Sequence, residues 1–60
     1  MTTPETALLW LQKQYKQKEI SLYNATHKPN RSDKEIDDLL EALDVIEYLI
    51  EITGRMALNG

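Results

Sequence analysis

Ile36, Leu39, Leu43, Ile46, Ile50, Thr53 and Ala57 hold an unbroken a/d heptad register through the second half of the chain. A second apolar set, Ala42, Val45, Leu49, Ile52 and Met56, runs beside it. At 3.6 residues per turn the two sets together wrap well over half of a helix's circumference. One neighbouring helix covers one stripe, so this segment asks for more than one neighbour. A chain of 60 residues has room for a single other helix. The excess apolar surface therefore predicts self-association or a partner protein.

Length and composition sharpen that demand. A chain this short buries only about 60% of the surface its unfolded form exposes, and usually needs a staple or an oligomer. Cysteine is absent, which removes disulfides and thiolate metal sites, and a single histidine, His27, cannot build a multi-histidine cluster. Oligomerisation is the remaining common route. No apolar run follows a basic start, and no stretch approaches the roughly 20 apolar residues of a membrane span. The expectation is a soluble cytoplasmic protein that does not engage membranes.

The net charge of −3 hides a division along the chain. Residues 1–32 carry five basic against two acidic residues, and residues 33–60 carry two basic against eight acidic. Folding the halves together, or packing two copies antiparallel, pairs opposite fields.

The punctuation predicts one helical-hairpin domain over residues 1–60. Thr2-Thr3-Pro4-Glu5 offers a threonine cap with proline in the first turn, and Thr2 to Glu5 has capping-box spacing. The first helix is expected over about residues 4–25, with Ala7, Leu8, Leu11, Tyr15 and Leu22 on one face. Residues 26–31 read as the linker, because Pro29 cannot sit inside a helix and disfavours helical geometry at Lys28. Ser32-Asp33-Lys34-Glu35 is a full capping box that starts a second helix over about 33–57. Gly54 costs that helix about 1 kcal/mol, but Met56 and Ala57 keep the apolar register and predict continuation. The fold class is all-α: an antiparallel hairpin that dimerises into a four-helix bundle.

Four features bear on function. Val45, Leu49, Ile52 and Met56, with Trp10 of the first helix, are the expected dimer interface; burying the four aliphatic side chains is worth on the order of 6–10 kcal/mol before entropy costs. Trp10, Leu9 and Ile20 lie off the hairpin stripe, where a tryptophan serves as a dimer anchor or a hot spot for a foreign partner. Lys13, Lys16, Gln17 and Lys18 mix cations with amides and form a candidate partner or nucleic-acid face. The acidic second helix and a pI near 4.9 weigh against nucleic acid. Asp37, Glu41, Asp44 and Glu51 recur near helical spacing as an acidic docking face. Carboxylates so spaced hold divalent metal only where helices converge, and the paired acidic motifs of helical nucleotide pyrophosphatases are missing. No nucleophile has a positioned base. The reading is non-enzymatic, with no catalytic residue, metal or cofactor.

The order of a threonine start, a helix, a short polar linker and an acidic helix resembles the architecture of the plasmid copy-number repressor Rop. No motif is shared, so the likeness assigns no residue. The string Glu19-Ile20-Ser21-Leu22-Tyr23-Asn24-Ala25, followed by Lys28-Pro29, Glu35-Ile36 and Glu47-Tyr48-Leu49-Ile50-Glu51, is similar to small orphan hairpins encoded by prophages of Gram-positive bacteria. That resemblance implies a phage or mobile-element accessory protein that binds a host protein. The alternative is a Rop-like RNA or DNA adaptor working through the basic face.

Overall fold

The computed structural model describes residues 2–59 as two α-helices, α1 (Pro4–His27) and α2 (Asp33–Asn59), packed along each other, with no strand among those residues. The hairpin is a rod of 46 × 16 × 14 Å.

Helix α1 starts one residue later in its cap than the Thr2 to Glu5 spacing predicts. Thr3 is the cap, with φ −96° and ψ 161°, and its hydroxyl accepts the Thr6 amide at 3.2 Å. Pro4 then takes the first helical position, where a missing N–H costs nothing. At the other end the helix outruns the expected boundary at Ala25 by two residues. The Tyr23 carbonyl accepts the Thr26 hydroxyl at 2.9 Å and His27 Nδ1 at 2.8 Å. A carbonyl only accepts, so the ring proton sits on Nδ1. These side chains add to the Tyr23 carbonyl in the last turn of the helix, and His27 also stacks on the Tyr23 ring at 4.0 Å. His27 thus belongs to α1, not to the linker. Lys28, directly before Pro29, is extended (φ −86°, ψ 152°), and the helix stops there.

The second cap is half of a capping box. Ser32 Oγ accepts the Glu35 amide at 3.4 Å. The Glu35 carboxylate does not return to Ser32; it pairs instead with Lys28 Nζ at 2.7 Å. Helix α2 continues straight through Gly54 to Asn59, two residues past the expected end; of Asn59-Gly60, expected from sequence to fray, Asn59 is helical and Gly60 lies outside the described residues.

The heptad register fills the seam. Leu43 (8% exposed) of α2 and Leu11 (7%) and Ala25 (2%) of α1 are buried at different levels along it, while Ile36, Leu39, Ile46, Ile50, Thr53 and Ala57 are half-buried. No side-chain hydrogen bond or ion pair joins the two helices among the described residues, apart from Lys28–Glu35 at the turn. Apolar packing along one seam holds the hairpin closed.

Candidate interaction surface

Helical periodicity fixes which residues flank that seam. Seen down α2 from its first turn, successive positions advance clockwise, and on the antiparallel α1 they advance anticlockwise. The α2 edge carrying Asp38, Ala42, Val45, Leu49 and Met56 therefore lies on the same side as the α1 edge carrying Thr6, Trp10, Gln17 and Ser21. Two shallow grooves open along this side. One, of about 380 Å³, runs between the helices near the turn and is lined by Lys18, Ser32, Lys34, Glu35, Asp38, Leu39 and Ala42. The other, of about 320 Å³, is lined by Thr2, Thr6, Ala7 and Trp10 at the far end.

This edge holds the residues expected at a dimer interface. Trp10 is 60% exposed, Val45 51%, Leu49 41% and Met56 55%; Ile52 is half-buried at the edge's outer margin. Leu9 and Ile20, also exposed, point about 80–100° away from Trp10 on the back of α1. Trp10 thus groups with the α2 edge rather than with them. The opposite edge of the hairpin is formed by Gln12, Glu19, Leu40, Glu47 and Leu58, with its two exposed leucines far apart along α2.

The basic face does not form as one patch. Lys13, Lys16 and Gln17 are exposed and share the outer side of α1, within about 100° of one another. Lys18 points about 160° away from Lys16, half-buried in the groove beside Asp38. Two lysines and an amide remain together on that face.

The acidic face is intact in placement. Asp37, Glu41, Asp44 and Glu51 are all exposed within a sector of about 80° on the outer side of α2. Glu51 is committed to Arg55, one turn on, at 2.7 Å. The four carboxylates spread along a single helix, and no group of three or more His, Asp or Glu among the described residues is placed to hold a metal ion. No helix is long and apolar enough to cross a membrane.

Sequence reasoning missed three contacts. The Arg55–Glu51 pair and the Tyr23–His27 stack both have i, i+4 spacing and were readable from it. The Lys28–Glu35 bridge depends on how the turn folds, and no periodic signal announces it.

Comparison with protein families, curated proteins and solved structures finds no match to this chain.

Proposed function

We propose that this chain is a non-enzymatic protein-interaction module that pairs with a second copy through the Trp10–Val45–Leu49–Met56 edge to form a four-helix bundle. The observation that carries this reading is the amount of surface the hairpin leaves uncovered. Its accessible surface is 4890 Å² for 7.0 kDa, whereas a compact monomer of that mass exposes about 4,000 Å². The surplus is close to the roughly 800 Å² that each partner contributes to a standard interface. Its radius of gyration is 13.9 Å; a compact chain of this length has about 10 Å, and one of twice the length about 14 Å.

The bundle leaves the outer faces of its helices free. Asp37, Glu41 and Asp44 would meet a basic partner surface through charge steering, which raises encounter rates more than it adds affinity. The phage or mobile-element origin implied by the resemblance would make that partner a host protein.

Light scattering or sedimentation at tens of micromolar tests the reading: a mass of twice 7.0 kDa is expected. Leu49→Lys puts a charge in the middle of the edge and should give a helical monomer. A wild-type monomer at that concentration overturns the proposal. A gel shift at low salt, where phosphate contacts are strongest, separates the nucleic-acid alternative: retardation there would favour it.

A further inference from the structure

The edge is not uniform along its length, and that asymmetry bears on how two copies meet. Antiparallel packing sets residues level when their numbers sum to about 60, as Lys18 and Ala42 do across the groove. Trp10 is therefore level with Ile50, near Leu49, in the half of the rod away from the turn. On the same edge, the half beside the turn is polar: Gln17 and Ser21 on α1, Lys34 and Asp38 on α2.

Two face-to-face arrangements close with two-fold symmetry. An axis across the rods sets α1 on α1 and α2 on α2, and turns one copy end for end. An axis along the rods sets α1 of each copy on α2 of the other, with both turns at one end. Resting on the self-association reading above, we propose the second arrangement: the copies pair with their turns together, each α1 lying on its partner's α2.

Two independent observations favour it. The apolar half of each edge then meets the apolar half of the other, so that Trp10 of one chain sits over the Leu49–Met56 stretch of its partner. The crossed arrangement would press Trp10 and Met56 of one chain against the Ser21 and Lys34 half of the other, desolvating polar groups without partners. Charge points the same way. Helix α1 carries three lysines against two glutamates, and α2 carries two cations against eight carboxylates. Stacking α2 on α2 would bring two strongly acidic helices together, whereas α1 on α2 sets the helix with few carboxylates against each acidic one.

The chain has no cysteine, so one introduced thiol reports one distance. Asn30→Cys places a spin label in the exposed turn, and Leu58→Cys places one at the far end of α2. Double electron–electron resonance on the dimer should give label separations within about 25 Å for both variants, a few helix diameters. Separations near the 46 Å length of the rod, in a sample whose mass is that of a dimer, overturn the arrangement while leaving self-association standing. A monomeric mass with no dipolar signal overturns both.

Discussion

The two ends of the hairpin are built from different materials. At the turn, polar side chains finish the structure: Thr26 and His27 close on the Tyr23 carbonyl, Ser32 caps α2, and Lys28 bridges to Glu35. Ala25, the most buried residue described, lies there. At the open end the chain supplies bulk instead. Leu11 packs in the seam, Trp10 and Met56 stand out on one edge, and among the described residues no polar contact ties α1 to α2 there. The turn end is complete within one chain. The open end has large side chains on two sides and a partner helix on one, which is where a second copy has the most to cover.

Truncating the open end's seam should have the largest effect. Leu11→Ala removes one of the few buried side chains and leaves a cavity, a change that costs about 2–5 kcal/mol in protein cores. In a chain of this size that approaches the whole stability, so circular dichroism should show a large loss of helix or a steep drop in Tm. A loss below about 1 kcal/mol would mean that the open end is not held by its seam.

At the turn end the sensitive change runs in the opposite direction. Ala25 is 2% exposed, so a larger side chain there must displace the atoms that cover it. Ala25→Leu should cost about 1–3 kcal/mol through overpacking, read by urea denaturation. A neutral or stabilising result would show that the helices have room at the turn, and the contrast between the ends would fail.

Much of this was legible beforehand, and the rest failed for local physical reasons. Heptad spacing alone placed Leu43 in the seam and left Val45, Leu49 and Met56 outside it, because side-chain direction on a helix follows from position. Pro29 bars helix from Lys28 onward but does not say where α1 stops before it, so a linker over 26–31 takes in Thr26 and His27, which are helical. Propensity counts a threonine hydroxyl as a competitor for the backbone; here it serves the helix by closing on the carbonyl three residues back. The Thr2 to Glu5 box had the right spacing one residue early, and Thr3 with Pro4 behind it is the better start. Lys18 was grouped with Lys16 by proximity in sequence, although two residues apart on a helix means opposite sides.

The caps should show a smaller effect, again concentrated at the turn. Ser32→Ala removes the acceptor for the Glu35 amide, and such substitutions typically cost about 1 kcal/mol. At 3.4 Å the bond is long, so a value at or below that figure is expected from thermal denaturation. Glu35→Gln breaks the Lys28 bridge, whose partners are both nearly half exposed. That pair should contribute well under 1 kcal/mol, and its effect should vanish at high salt.

Gly54 offers a small effect of the opposite sign and tests which edge the open end uses. It sits inside α2 with an ordinary helical backbone, and a Cβ added there would meet nothing within 4 Å. Glycine inside a helix is less stable than alanine by about 0.5–1 kcal/mol, chiefly through the freedom it gives the unfolded chain. Gly54→Ala should therefore raise the Tm slightly. Its position, eclipsed with Ile36 on the helical wheel, lies toward the edge that carries Leu40 and Glu47, away from Leu49 and Met56. A pair assembled through the Trp10 edge should keep its mass and its dissociation constant when the methyl is added. If the variant gains helix stability as a monomer but loses self-association, then a neighbour comes close at Gly54, and the copies meet through the other edge of the rod.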